Sequence, residues 1–177
     1  MGKQAVQSAS VVTPEQTRLD YQKVLPEAMR AMRGLEQALH QSSLEAALLE
    51  LVRLRASQLN GCAYCVDMHT KDARARGERE QRLYLVSAWR EAPIYSARER
   101  AALAWCEALT LLPETGAPDQ VYQELERVFS PTDIVALTLA IVAINGWNRF
   151  AVGLHAPVGD YASPYGKPEP AARHGND

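Results

Sequence analysis

Two apolar helical runs meet at Asn60-Gly61, and the second opens on Cys62-Ala-Tyr-Cys65-Val-Asp-Met-His69. This junction constrains the fold more than any other stretch of the chain. Asn-Gly stops the first helix, so Cys62 starts the next one. Residues three and four apart share a helical face, which brings Cys62, Cys65 and His69 together. If the two helices pack antiparallel through the turn, Glu50 on the first reaches His69 or a water beside Cys65. The unpaired N–H groups and dipole at a helix N-terminus favour thiolate over thiol. Two thiols at this spacing can also close a disulfide with little backbone movement. The segment reads as a thiol–disulfide redox centre.

The rest of the chain is also punctuated as helices, with little of the β-branched alternation that marks strands. Pro26 suits the first turn of a helix to about His40, with Met29, Met32, Leu35 and Leu39 as its apolar stripe. Ser42 with Glu45 has the spacing of a capping box, predicting a helix through Leu44, Leu48, Leu51, Val52 and Leu59. The thiol-bearing helix should run from Cys62 to Arg76 and end at Gly77. Glu80 to Trp89 is amphipathic. Ser96 with Glu99 is a second capping box, opening a helix to about Leu112. Pro113 to Pro118 reads as a loop, and Asp119 to Phe129 as a shorter helix. Ser130-Pro131-x-Asp133 starts the last helix, which carries Ile134, Leu137, Ile141 and Ile144 through Trp147 to about Val152. All-α is the expected class.

With 177 residues, 47% of them hydrophobic, one buried core is expected rather than two domains or disorder. The expected organisation is an N-terminal extension over 1–20, a helical domain over 21–155 and a loose Pro-, Gly- and Ser-rich tail over 156–177. A net charge of −2 without a basic, aromatic-laced stripe argues against nucleic acid as a partner. The longest apolar run, Ile134 to Ile144, is short for a bilayer span, so no membrane partner is expected. The N-terminus lacks the apolar stretch of a secretory signal, and Val6 stands where a myristoylation site wants Ser or Thr. A cytoplasmic location is the expectation. Three cysteines in a reducing compartment point to catalytic or metal-binding thiols rather than structural disulfides.

Glu50, separated by eleven residues from Cys62, with Cys62-Ala-Tyr-Cys65, His69 and the following Thr70-Lys-Asp-Ala-Arg-Ala-Arg-Gly77-Glu, resembles the alkylhydroperoxidase AhpD / carboxymuconolactone decarboxylase superfamily. Glu80-Gln-Arg-Leu-Tyr, Trp89-Arg-Glu-Ala-Pro93 and Ala143-Ile-Asn145-Gly-Trp147-Asn148-Arg149 extend the resemblance over roughly 21–155. It implies an AhpD-like helical subunit with the C-x-x-C pair at a helix N-terminus, assembled as a trimer or hexamer. It implies peroxide reduction by the dithiol, with an external dithiol or lipoylated partner as reductant. Carried over residue by residue, Cys65 is the peroxidatic thiol, Cys62 the resolving one, and Glu50 and His69 the proton relay. Tyr64 occupies a position where the family pattern has a second His, and a phenol with a pKa near 10 is a poor base. The decarboxylase branch lacks the thiol pair, which places this chain on the redox side. The cycle needs no metal and no organic cofactor.

Other readings attach to the same residues. C-x-x-C-x-x-x-H offers three zinc-type ligands where a structural site wants four, with Glu50 as the candidate fourth. A redox-sensing oligomer without peroxide turnover would use the disulfide to change assembly. Glu50 taken alone is equally a solvated helix residue or a semi-buried relay member, and Ser57 only a helix-facing hydroxyl. Cys106 among Leu103, Trp105 and Leu109 reads as a buried apolar thiol. Asp67 and Lys71 read as a surface ion pair of little energetic weight, and Trp147, Asn148 and Arg149 as packing or interface residues.

Overall fold

The computed structural model describes residues 17–166, and all regular structure among them is helical. The order is α1 (Tyr21–Val24), α2 (Pro26–His40), α3 (Ala46–Leu59), α4 (Ala63–Ala75), α5 (Glu80–Leu85) with a 3-10 turn (Val86–Ala88), α6 (Ala97–Thr110), α7 (Leu112–Thr115), α8 (Asp119–Glu126) and α9 (Pro131–Gly153). Readings that concerned residues 1–16 and 167–177 lie outside the described residues.

Helix α3 is the hub, packing against α4, α6 and α9. Its buried positions run almost all round: Leu48, Leu49, Glu50, Leu51, Val52, Arg53, Leu54, Ala56 and Ser57. A helix buried on every side lies in the core, so polar residues on it must find partners inside the protein. One half of the core gathers α3, α4, α6, α8 and α9 around Val52, Cys106, Leu137 and Ile141, and the other packs Leu51, Leu54 and Leu103 against Leu83, Val86 and Trp89. Helix α2 approaches α9 closely. A Cβ on Gly146 would stand 2.9 Å from the Met32 methyl, so a side chain there would force Met32 aside.

Several helix starts follow their sequence signals. Pro26 opens α2, and Ser96 and Glu99 form a complete reciprocal capping box. The Ser130 side chain accepts from the Asp133 N–H at the head of α9. The Ser42/Glu45 box does not form. Ser42 Oγ instead donates to the Leu39 carbonyl, closing α2. Glu45 is itself the extended residue ahead of α3, and its carboxylate pairs with Arg98. The Glu80–Trp89 run breaks at Leu85 into a 3-10 turn, and the expected loop at 113–118 begins with the short helix α7.

Helix α9 is longer than the apolar run suggested. At 23 residues it is long and apolar enough to cross a bilayer by length and composition, yet half of the relevant stretch is buried inside the fold. Its inward residues, Ile134, Leu137, Ile141 and Ile144, recur every three or four positions against α2, α3 and α6.

The α3–α4 junction explains the placement of the thiols. Gly61 takes φ +64°, a left-handed conformation that costs glycine little. The Gly61 N–H donates to the Gln58 carbonyl and the Cys62 N–H to the Ser57 carbonyl, the paired bonds of a Schellman motif. Cys62 therefore terminates α3 with its N–H while its side chain caps α4, accepting from the Cys65 N–H at 3.4 Å.

Candidate active site

The hairpin sets α4 beside α3 and brings Glu50 to His69. Glu50 is 4% exposed and His69 6%, so Glu50 is not a solvated helix residue. His69 Nδ1 lies 2.8 Å from Glu50 Oε2, and Arg53 Nη1 donates to Glu50 Oε1 at 3.0 Å. Burial pushes the Glu50 carboxyl up, but the His69 hydrogen bond and the charges of His69 and Arg53 outweigh it and hold the group below its ordinary value. An ionised Glu50 can only accept, so Nδ1 carries the proton in that bond, and whenever the ring is neutral its lone pair sits on Nε2. That Nε2 is buried without a hydrogen-bond partner.

The carboxylate is anchored from further away. Arg53 Nη2 meets Glu36 Oε2 at 2.5 Å, and the Trp147 indole N–H donates to Glu36 Oε1 at 3.2 Å. Helices α9, α2, α3 and α4 thus contribute one chain of contacts, Trp147–Glu36–Arg53–Glu50–His69. A buried charge without a partner is costly, and each charge in this chain has one.

Cys62 and Cys65 are both free thiols, 1% and 2% exposed. The Cys65 sulfhydryl donates to the Cys62 sulfur, and this bond, with the Cys65 and Tyr64 backbone N–H groups and the Asn148 amide, outweighs burial. Cys62 is drawn down from 9.0 to about 7. The same bond, with burial and the neighbouring Cys62 charge, pushes Cys65 up, against smaller opposing contributions from Asn148 and Ser57. The first proton therefore leaves the pair at the helix-capping sulfur. Asn148 is fixed for this task by donating to Ser57 Oγ (3.1 Å) and accepting from Asn60 Nδ2 (2.9 Å).

The two sulfurs open on different spaces. Cys65 lines a cavity of about 300 Å³ together with Glu50, His69, Tyr64, Met68, Asp72 and Trp147. Cys62 lines a separate pocket of about 200 Å³ on the other side of Tyr64. The structure does not put His69 in hydrogen-bond contact with Cys65, since Nε2 has no partner.

Sequence spacing located Cys62, Cys65, His69 and Glu50 but missed what supports them. Ser57 is a buried link between Arg53 and Asn148 rather than an idle hydroxyl. Asp72 is buried near His69, and the Tyr161 hydroxyl reaches both of its oxygens, at 3.0 and 2.9 Å. Lys71 forms the expected pair with Asp67 but also donates to the Gly159 and Tyr161 carbonyls. The described part of the segment expected to be loose is therefore pinned across α4, with Tyr165 stacked under Arg76 and lining the cavity. Cys106 is fully buried, donates to the Val52 carbonyl and is pushed up to about 12 by desolvation. It stands apart from this chemistry.

These features define an all-helical domain with a reduced dithiol at a helix N-terminus, facing a cavity served by a buried carboxylate–imidazole pair. A model of the carboxymuconolactone decarboxylase family matches residues 26–108. The uncharacterized protein YdfG of Bacillus subtilis (strain 168) is 42% identical over 137 residues, covering 77% of this chain and 93% of its own. A crystal structure from Agrobacterium tumefaciens, of a protein of unknown function named as a candidate antioxidant defence protein AhpD, is 48% identical. It superposes with a TM-score of 0.79 over 82% of this chain and 99% of its own. The apo debrominase Bmp8 shares the fold alone, at 20% identity, TM-score 0.70, and 76% and 73% coverage. The chain belongs to the AhpD-like carboxymuconolactone decarboxylase superfamily.

Proposed function

We propose that the protein is a thiol-dependent peroxidase that reduces organic hydroperoxides through a Cys62/Cys65 dithiol–disulfide cycle. The observation that carries this reading is the shared cavity: Cys65 and His69 line one space of about 300 Å³, and His69 Nε2 has no hydrogen-bond partner. A hydroperoxide there can meet the sulfur at one oxygen and the imidazole at the other.

In the first step, Cys65 gives its proton to the His69 Nε2 lone pair through the bound hydroperoxide. The Cys65 sulfur attacks the terminal oxygen and the O–O bond breaks. Cys65 becomes a sulfenic acid, and the departing alkoxide takes a proton from His69 and leaves as alcohol. Glu50 holds the imidazole in the orientation this needs, and Arg53 and Glu36 hold Glu50. In the second step Cys62 attacks the sulfenic sulfur, forming the S–S bond and releasing water. An external dithiol, free or lipoylated, then restores both thiols by exchange and is itself oxidised to a disulfide. The low pKa of Cys62 makes it the better leaving group, so attack on Cys65, the sulfur facing the larger cavity, is the favoured route. Tyr64 separates the two spaces as a neutral phenol, its pKa raised by burial and by the nearby thiols, and contributes no base.

The thiol chemistry fits a reducing compartment such as the cytoplasm. A homo-oligomer, trimer or hexamer, completes the reading, with the exposed Val135 and Val142 of α9 offering an apolar face. The activity is tested by following consumption of an organic hydroperoxide with excess small dithiol. Native protein should turn over repeatedly, and Cys65→Ser should lose all turnover above the uncatalysed rate. Undiminished turnover by Cys65→Ser would remove Cys65 from the reaction.

A further inference from the structure

We propose that the cavity beside Cys65 selects reactants that carry an ammonium group, with Asp72 as the counter-ion. Where the reactant is a hydroperoxide the inference rests on the thiol-peroxidase reading; the ammonium site itself does not. Met68, His69 and Asp72 follow Cys65 along α4 by three, four and seven residues, so the four share one helical face. All four line the cavity of about 300 Å³. Seven residues of helix span about 10 Å. A reactant built on a para-substituted benzene ring, with its reacting oxygen at the Cys65 sulfur, therefore brings its far end towards the Asp72 carboxylate.

Asp72 is 8% exposed, and among the described residues its side chain has one hydrogen-bond partner, the neutral Tyr161 hydroxyl. The cations around it are committed elsewhere. Lys71 pairs with Asp67, and Arg76, one turn further along α4, lies over the Tyr165 ring. Arg53 is shared between Glu36 and Glu50, His69 turns its Nδ1 to Glu50, and the exposed Arg33 donates to Gln22. A buried carboxylate without a cationic partner is costly, and on a cavity wall it is a ready partner for a cationic ligand. An ionised carboxylate has about four acceptor sites, so an ammonium joins the Tyr161 hydroxyl there without displacing it. The charge of the whole space agrees. Glu36, Glu50 and Asp72 line it against Arg33 and Arg53, so with its two histidines neutral the cavity is negative and disfavours an anionic reactant. The remaining walls include Tyr21, Tyr64, Trp147 and Tyr165, rings that pack an apolar body and attract a cation to their faces.

Calorimetric titration of the fully reduced full-length chain tests the site without chemistry. The probes are para-isopropylbenzylamine, an ammonium at about pH 7, and its neutral counterpart para-isopropylbenzyl alcohol. The amine should bind at least about tenfold more tightly, the factor that a hydrogen bond to a charged group supplies. Asp72→Asn should bring the amine down to the alcohol. Tyr161→Phe, which removes the other donor to the carboxylate, should tighten the amine and leave the alcohol unchanged. Circular dichroism establishes that each variant is folded; if Asp72→Asn is not, Tyr161→Phe decides the matter. Equal binding of amine and alcohol, or a preference indifferent to Asp72 and Tyr161, would overturn the proposal. In turnover, cumene hydroperoxide bearing a para-aminomethyl group should show a KM at least about tenfold below that of cumene hydroperoxide itself. Amine-selective binding with neither hydroperoxide consumed would sustain the site and remove the peroxidase reading; consumption of both at equal KM would do the reverse.

Discussion

Cys65→Ala removes the sulfhydryl that donates to the Cys62 sulfur while leaving the backbone N–H of residue 65, 3.4 Å from that sulfur, in place. In the native pair Cys62 is drawn from 9.0 down to about 7, so about half of it is thiolate at pH 7. A hydrogen bond to a charged group contributes about 1.5 kcal/mol or somewhat more, which corresponds to about one pKa unit. The backbone donors and Asn148 remain in the variant, so the return towards 9.0 is partial and the Cys62 midpoint should rise to about 8. At pH 7 the thiolate fraction then falls about fivefold. Thiolate ultraviolet absorbance, titrated from pH 5 to 10, reads the midpoint directly. Cys106, held near 12, stays silent over that range. A midpoint that remains near 7 would mean that the helix terminus and Asn148 depress the thiol without help from Cys65. A native protein with no thiol ionising below about pH 8 would refute the whole assignment of the low-pKa sulfur.

The same shift predicts a pH-dependent stability. The folded value of Cys62 lies below its unfolded value of 9.0, so between pH 7 and 9 the unfolded chain binds more protons and stability rises with pH. The contribution is fully present near pH 9, reaches about 2–3 kcal/mol for this almost completely buried group, and vanishes as pH falls through 7. Urea midpoints of the reduced protein at the two pH values should differ by more in the native chain than in Cys62→Ser; equal differences would contradict the linkage. Away from the site, Glu107 accepts from Arg55 Nε at 2.7 Å and the Trp89 indole at 2.8 Å, and pairs with Arg90. Glu107→Ala should destabilise the fold by about 3 kcal/mol by stranding these donors, and a urea-derived loss under about 1 kcal/mol would show the clamp to be idle.

Much of the site was legible because its chemistry is local. Cys62, Cys65 and His69 are fixed by helical spacing, and Gly61 fixes where that helix begins. The supporting residues were not legible, because their partners are remote in sequence. Trp147 meets Glu36 across 111 residues, Asn148 meets Ser57 across 91, and Tyr161 meets Asp72 across 89. No periodicity within one helix reports a contact of that kind. Glu50 was ambiguous for a related reason: a carboxylate among leucines is either at the surface or fully partnered, and its partner His69 arrives only once α3 and α4 are packed, while Glu36 of α2 holds the Arg53 that pairs with it. The Ser42/Glu45 signal failed because capping competes with other uses of the same groups. Ser42 is taken by the end of α2, and Glu45 by Arg98. Ser96/Glu99 satisfied its box, with Glu99 also engaging Arg82.

The most direct measurement is a free-thiol count on fully reduced, desalted protein before and after one equivalent of an organic hydroperoxide. The chain has three cysteines, all free in the structure. A dithiol peroxidase predicts a rapid fall from three thiols to one, the survivor being Cys106 behind its apolar walls. Three thiols remaining after exposure would contradict peroxide reduction by the Cys62/Cys65 pair.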